Sequence, residues 1–306
     1  KRIYIPKKNG KLRPLGIPTM ADRAQQALYL MALEPVAEMK ADPNSYGFRP
    51  KRSTADATEQ CFIVLARKTA PKWVLEGDIK ACFDRIDHRW LLRHIPMDKT
   101  ILRKWLKAGY LEEEILHPTE DGTPQGGIIS PVLANIALDG LEAVAKKAAG
   151  ANSKVNVIRY ADDFIITSDT KIALENRVKP AVAAFLKWRG LELSEEKTKI
   201  TRIDEGFNFL GFNVRKYDGK FLIKPAKENV KIFLAGIRKG VRSNWSSTTE
   251  ALIWLLNPKI TGFSNYYRHT AAKKTFSYID NQIYLAIRSW IQRRHRNKSW
   301  MWRKKK

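Results

Sequence analysis

Two short, mostly apolar, β-prone runs, Val155–Arg159 and Phe164–Thr167, flank the tetrapeptide Tyr160-Ala161-Asp162-Asp163. Strand, polar break and strand at this spacing predict a hairpin with both carboxylates at its tip. Adjacent carboxylates repel one another, and buried strands seldom lead into charge that nothing compensates. The tip therefore calls for a cation. Hard oxygen ligands select Mg²⁺, which keeps water and substrate phosphates in its shell. A hydrated acidic turn is the ordinary explanation of a bare Asp-Asp pair; the apolar strands on both sides weigh against it.

A third carboxylate, Asp78, stands near the end of the apolar strand expected over Trp73–Ile79, from where it could face the pair across a sheet. Three carboxylates suffice for two ions about 3.5–4 Å apart, the arrangement that supports in-line phosphoryl transfer. One ion would activate a primer 3′-hydroxyl, and the other would hold a triphosphate and its leaving pyrophosphate.

Charge narrows the partner. The chain carries a net charge of +25 over 306 residues, and such a surplus favours a polyanion through phosphate neutralisation and counterion release. The distribution is uneven: from Pro225 onward there are 18 Lys and Arg against 3 Asp and Glu, a net +15 in 82 residues. The same stretch holds Trp245, Trp254, Trp290, Trp300 and Trp302. Basic residues interleaved with aromatics suit a nucleic-acid-facing surface, although Trp254 and Trp290 could equally be core. A membrane-surface binder would share the charge, but no apolar run approaches the roughly 20 residues needed to span a bilayer, and no signal peptide opens the chain. With only Cys61 and Cys82, a four-cysteine zinc site or a disulfide framework is excluded; both thiols suit a reducing cytosol. The expected location is a bacterial cytoplasm, with an organelle as the alternative. The five histidines show no metal-ligand spacing, and no Walker loop, GxGxxG motif or Ser-His-Asp arrangement occurs.

Along the chain, Lys1 to Pro18 reads as two strands around Asn9-Gly10. Helices are expected over Asp22 to about Lys40 and Thr54–Lys68, separated by a turn-rich basic loop from Pro43 to Ser53. Asp87 is a good N-cap for a helix to His94. Ser130–Lys147 reads as one long helix, Ala173–Trp188 as another ending at Gly190. Phe207–Arg215 and Lys220–Lys224 form a hairpin about Asp218-Gly219, and Lys227–Arg296 is helical with breaks near Asn244 and at Asn257-Pro258. Intermingled strands and helices followed by helices alone define an α+β body with a helical lobe.

Here the chain resembles a known family. Tyr160-Ala161-Asp162-Asp163 is similar to the Tyr-x-Asp-Asp box of reverse transcriptases. The run Gly77-Asp78-Ile79-Lys80-Ala81-Cys82-Phe83-Asp84-Arg85-Ile86-Asp87-His88 resembles the preceding acidic motif of group II intron reverse transcriptases, or maturases. Further motifs follow in the family's order. Gly10 to Thr19 resembles the first fingers motif, and Tyr46-Gly47-Phe48-Arg49-Pro50 with Arg52-Ser53 the second. Thr123-Pro124-Gln125-Gly126-Gly127 resembles the loop beside the incoming nucleotide, Leu191 to Thr198 the palm motif after the catalytic hairpin, and Phe209-Leu210-Gly211-Phe212 the primer grip. Gly262-Phe263-Ser264-Asn265-Tyr266-Tyr267-Arg268 resembles the signature of the maturase thumb, domain X.

The resemblance implies a right-hand polymerase with fingers over 1–72, palm with part of the fingers over 73–224, and an all-helical basic thumb over 225–306. It implies an RNA-directed DNA polymerase, a nucleotidyltransferase, working with two Mg²⁺ ions held by Asp78, Ile79, Asp162 and Asp163. Asp78, Asp162 and Asp163 would be catalytic. Phe83 would lie under the incoming sugar and reject a ribose 2′-hydroxyl; Gln125 would contact the nucleotide or template. Lys11, Arg13 and Arg23 would clamp the triphosphate, and Lys197 would steer or protonate pyrophosphate. Phe209, Leu210 and Gly211 would position the primer. Arg49, Arg52, Arg268, Arg288, Arg293, Arg294 and Arg296 would bind RNA. The implied partners are the parent group II intron RNA, an RNA template/DNA primer duplex and dNTPs, with no membrane. Such binding would assist splicing and target-primed reverse transcription.

Two departures matter. Family members often carry an N-terminal segment ahead of the fingers, and many continue into a DNA-binding region and a zinc-binding endonuclease. The chain opens on Lys1, as a trimmed chain would, and two cysteines could not build that zinc site, so target cleavage by this polypeptide is not expected. The alternatives are a splicing cofactor without polymerase activity, an RNA-dependent RNA polymerase, or a related retron, diversity-generating or CRISPR-associated reverse transcriptase.

Overall fold

The computed structural model describes residues 2–6, 10, 12–123, 126–150, 153–299 and 301–302, with the backbone alone at Arg13. The chain divides into two compact units, Lys1–Ile203 and Asp204–Lys306.

The first unit is built on a four-stranded antiparallel sheet ordered Asn156–Tyr160, Asp163–Ser168, Trp73–Asp78, Lys199–Arg202. Helices cover the sheet and bury the apolar middles of its inner strands, Val74, Leu75, Ile165 and Ile166, together with Ile158 of the outer strand Asn156–Tyr160. Lys199–Arg202, one of the two edge strands, is short and charged, which suits an edge that must not pair further. Around the sheet stand helices Met20–Met39, Thr54–Leu65, His88–His94, Lys99–Leu106, Ser130–Leu138, Leu141–Ala149 and Lys179–Lys187. A hairpin of Arg2–Pro6 with Leu12–Gly16 is the N-terminal element. The second unit carries the antiparallel strands Phe207–Phe209, Phe212–Tyr217 and Lys220–Pro225 together with helices Lys227–Ser243, Thr249–Tyr267 and Lys273–Arg294. Among the described residues, no helix is long and apolar enough to cross a membrane.

Several expectations are corrected. The stretch Ser130–Lys147 is two helices, broken at Asp139-Gly140, with Gly140 at φ 94°. The break frees the second helix's first N–H groups, and Asp42 takes those of Gly140 and Glu142 at 3.1 and 3.3 Å. The expected break at Asn257-Pro258 is absent: Thr249–Tyr267 runs through Pro258. Leu252 and Leu256 are buried on one side and Tyr267 on the other, so packing outweighs the single lost hydrogen bond. Phe207–Arg215 is two strands hinged at Leu210-Gly211, both left-handed. The helix read over Ala173–Trp188 opens with a π turn, Leu174–Val178, and that over Thr54–Lys68 stops at Leu65. The hairpin Tyr110–Glu112/Ile115–His117 was not anticipated because its turn residues, Glu113 and Glu114, both at positive φ, are not turn formers. Trp290 is core, whereas Trp254 and Trp245 are exposed.

A buried ionic cluster ties the first unit together. Asp139 accepts from Arg49 at 2.5 Å and from Arg159 at 2.7 Å; Arg49 also donates to Glu38 at 2.6 Å and to Ser45 Oγ at 3.0 Å. Both guanidinium groups have about 1% of their side-chain surface exposed. Removing the shared acid would leave two positive charges buried side by side. D139N should therefore lower unfolding stability in urea by about 3–5 kcal/mol, while removing the exposed Arg85–Glu192 pair should change it by under about 1 kcal/mol.

Candidate active site

The hairpin expected from the sequence is present, with Tyr160 opposite Asp163 and Ala161-Asp162 as its two-residue turn. Ala161 adopts φ 56°, a conformation that costs an alanine roughly 1–2 kcal/mol. Neighbouring chain holds it there. Tyr46 N–H donates to the Arg159 carbonyl at 2.8 Å, and Arg159 N–H to that of Asn44 at 2.9 Å, so residues 44–46 run as an extra rung along the strand. Gly47 follows with no side chain to spare: a Cβ there would lie 2.4 Å from Ala161 N and 2.9 Å from the Tyr160 carbonyl carbon. Beneath, Arg159 Nη1 donates to Asn135 Oδ1 at 3.1 Å, and Asn135 Nδ2 to the Gly47 carbonyl at 2.9 Å.

Asp78 is the cross-strand partner of Asp163, so the two carboxylates stand together with Asp162 on the adjoining turn. Asp163 keeps a face open to solvent, yet the protein around it, then the charges of Asp162 and Asp78, push its acid up to about 6; Lys197 opposes the shift. Lys197 Nζ donates to Asp78 Oδ2 at 2.8 Å, and this hydrogen bond holds the ammonium above its ordinary range. The segment 191–198 delivers it by stitching onto the strand end: Ser194 N–H donates to the Asp78 carbonyl at 2.8 Å and Lys80 N–H to that of Glu192 at 2.9 Å. Ile79 is buried and bridged to Leu193, so only its main chain could serve a metal. Among the described residues, no group of three or more His, Cys, Asp or Glu side chains is arranged to hold a metal ion. The donor set itself, hard carboxylate oxygens whose mutual repulsion raises Asp163, is of the kind that suits Mg²⁺.

Phe83 is half-buried against the core and meets Phe48 edge to face, centroids 6.1 Å apart. The loop that follows Thr119 is stapled to this segment: Thr123 N–H donates to the Phe83 carbonyl at 2.6 Å, Gly122 N–H to that of Ile86 at 2.8 Å, and His88 Nε2 lies 2.7 Å from the Gly122 carbonyl. Cys82 is buried, its thiol pushed up to about 12 by desolvation, so it packs rather than reacts. Lys11 and Gln125 lie outside the described residues, as does the side chain of Arg13. Arg23 is half-buried in the first turn of its helix.

In the second unit the Leu210-Gly211 turn is held by the motif read as the thumb signature. Tyr266 Oη donates to the Leu210 carbonyl at 2.8 Å, Tyr267 Oη to that of Gly211 at 3.1 Å, and Phe212 stacks on the Tyr266 ring. Gly211 sits at φ 82°, a conformation that strains any residue with a Cβ, and a Cβ there would also meet Asn229 Nδ2 at 2.4 Å. Arg268, Arg293, Arg294 and Arg296 are exposed, and Arg288 is half-buried.

Arg49 is not a surface RNA contact as expected: its guanidinium is buried among Glu38, Asp139 and Ser45. Arg52 is mainly occupied with the carbonyls of Pro43 and Ser45. Gly47, Asn135, Asp139 and Arg159 escaped the sequence reading as supports of the tip. The available signal was Arg159, a charge inside an apolar strand, which has to find a buried partner.

Residues 5–214 match the family described as Reverse transcriptase (RNA-dependent DNA polymerase). A telomerase from Candida Tropicalis shares the fold with a TM-score of 0.54 at 16% identity, over 74% of this chain and 54% of the telomerase chain. The fold and the match over residues 5–214 place the chain in the reverse transcriptase class. Residues 230–306 match the family described as Group II intron, maturase-specific domain. Protein YkfC of Escherichia coli (strain K12) is 33% identical over 83% of this chain and 74% of its own length. Group II intron-encoded protein LtrA of Lactococcus lactis subsp. cremoris is 30% identical over 87% of this chain, which spans 60% of LtrA. The chain belongs to the group II intron reverse transcriptase/maturase family.

Two predictions test this geometry. Gly47→Ala should displace the tip through the clash with Ala161 N, costing about 1–3 kcal/mol as overpacking does, read by thermal unfolding. With divalent ions chelated, Asp163 favours the fold fully below pH 3.8, and that contribution is lost as pH rises through about 6. D163N should therefore show a smaller loss of stability than wild type across that interval.

Proposed function

We propose that the chain is an RNA-directed DNA polymerase that extends a DNA primer on an RNA template, and that it also binds its parent intron RNA to assist splicing and mobility. The observation that carries the reading is Asp78 lying cross-strand from Asp163 at the tip of a turn that Gly47 and Arg159 hold in place. A hydrated surface turn would need no such scaffold. In this reading residues 1–72 form the fingers, 73–224 the palm with part of the fingers, and 225–306 the thumb.

Asp78, Asp162 and Asp163 would hold two Mg²⁺ ions. Bound there, Mg²⁺ would supply Lewis-acid stabilisation of the charge that develops on attacking and leaving oxygens. Lys197, already at Asp78 Oδ2, is positioned to meet the anionic triphosphate and to give a proton to the pyrophosphate as it leaves. Phe83, five residues after Asp78 and backed by Phe48, would serve as a gate against the ribose 2′-hydroxyl. Lys11, Arg13, Arg23 and Gln125 would complete the nucleotide site. Gly211 and its neighbours, held by Tyr266 and Tyr267, would present backbone to the primer. Arg268, Arg288, Arg293, Arg294 and Arg296 would engage RNA phosphates.

Primer extension on an RNA template with Mg²⁺ and dNTPs tests the reading. Wild type should incorporate dNTPs. D162A should lose incorporation by about a thousandfold, the several kcal/mol that a metal-held charge clamp supplies, with its affinity for RNA unchanged. No incorporation by wild type, with RNA binding retained, would leave a splicing cofactor in its place. Equal use of rNTPs and dNTPs would undo the Phe83 gate.

A further inference from the structure

We propose that the cleft between helices Lys227–Ser243 and Lys273–Arg294 is a binding pocket for a single unpaired RNA nucleotide, its base on Trp245 and its phosphate among Arg238, Arg242 and Arg293. This rests on the RNA-binding reading of the second unit and adds to it a site, a ligand conformation and a division of labour among residues.

The cleft has a volume of about 220 Å³ and includes those four residues together with Gln282 and Trp290 in its lining. No Asp or Glu lines it. Arg238 and Arg242 are one helical turn apart and so share a face, where like charges repel; Arg293 comes from the facing helix. An anion between the guanidinium groups removes that repulsion, and a planar guanidinium suits phosphate oxygens in a paired, two-bond geometry. Arg238 is already oriented across the cleft by its hydrogen bond to Gln282 Oε1 at 2.6 Å.

The aromatic wall is built as carefully as the basic one. Trp290 is buried and locked by donation from Nε1 to the Asn244 carbonyl at 2.9 Å. Asn244 caps the helix end through Nδ2 to the Gly240 carbonyl at 2.8 Å and accepts from Ser247 Oγ at 3.1 Å. The turn it organises holds out Trp245, a residue 67% exposed in the lining of the cleft. A large apolar ring kept in water on a hydrogen-bonded turn costs solvation that a stacked base would recover.

The shape selects the conformation of the nucleic acid. Phosphates of a duplex can be met by charge spread along an open surface, whereas a concave site of this size with one free ring suits a base that has left its stack. Proteins read RNA in loops and bulges this way, stacking splayed bases on aromatic or Arg planes. Three guanidinium groups without an acid also disfavour a protein ligand, which would bring no comparable density of negative charge.

The test uses the whole chain and two RNA hairpins, one with a single unpaired 2-aminopurine in its stem and one fully paired with the same 2-aminopurine. Binding of the bulged hairpin should quench 2-aminopurine fluorescence in wild type. W245A should abolish the quenching and weaken the bulged hairpin by about tenfold, the effect of one base–aromatic stack. It should leave the paired hairpin unchanged. W245F should recover most of the loss, and the double variant R238A/R242A should weaken the bulged hairpin more than the paired one. Equal affinity for both hairpins in wild type, or an equal loss on both with W245A, would overturn the pocket and leave general RNA binding standing. Failure of wild type to bind either hairpin would overturn the RNA-binding reading as well. If W245A does not fold, unquenched 2-aminopurine in the bound wild-type complex is sufficient to reject the proposal.

Discussion

Asp139 joins two buried arginines from segments that also run side by side through main-chain hydrogen bonds. Arg49 lies in the loop after the first long helix, and Arg159 lies in the strand that leads to the acidic tip. A shared carboxylate in a dry interior is demanding. It contributes only if every nearby donor is matched, and it penalises any arrangement in which one partner is misplaced. The cluster thereby fixes which loop lies against which strand, and Gly47 can then press its backbone against the turn carrying Asp162 and Asp163. The break at Asp139-Gly140 serves the same end. An uninterrupted helix would carry Asp139 past on a regular helical face; the break frees it to face both arginines.

Above that buried layer, electrostatics divides the labour. A chain with a net charge of +25 keeps a small acidic site in the sheet of its first unit. There two carboxylates face each other across adjacent strands and a lysine reaches one of them from a neighbouring segment. Much of the excess positive charge belongs to the sequence of the second unit, a net +15 from Pro225 onward. The turn at Leu210-Gly211 repeats the logic of the acidic tip: a strained, glycine-dependent backbone held by two tyrosines from a distant helix.

Local features could be read directly from the residues. The acidic hairpin follows from apolar runs around a polar break, and Asp78 at the end of an apolar strand suggested its partner. Asp87 as an N-cap, the Asp218-Gly219 turn and the helical, basic C-terminal part rest on equally local signals. Less legible were elements whose cause lies far away in sequence. Arg49 beside Pro50 looks like a surface cation because its two acids are 11 residues before it and 90 residues after it. Pro258 looks like a break because the helices that Leu252 and Leu256 pack against lie elsewhere in the chain. The hairpin about Glu113-Glu114 carries no turn residue to announce it.

By itself, then, the amino-acid order determined the acidic hairpin, the strand that carries Asp78, the helical C-terminal part and the charge that calls for a polyanion, since these depend on neighbours within a few positions. Only the tertiary structure decided that Asp78 stands beside Asp163 with Lys197, that Arg49 is a buried support and not an RNA contact, and that Trp245 overhangs a basic cleft. Each of those outcomes depends on desolvation and on partners brought together from distant segments, and both come into being only when the chain is packed.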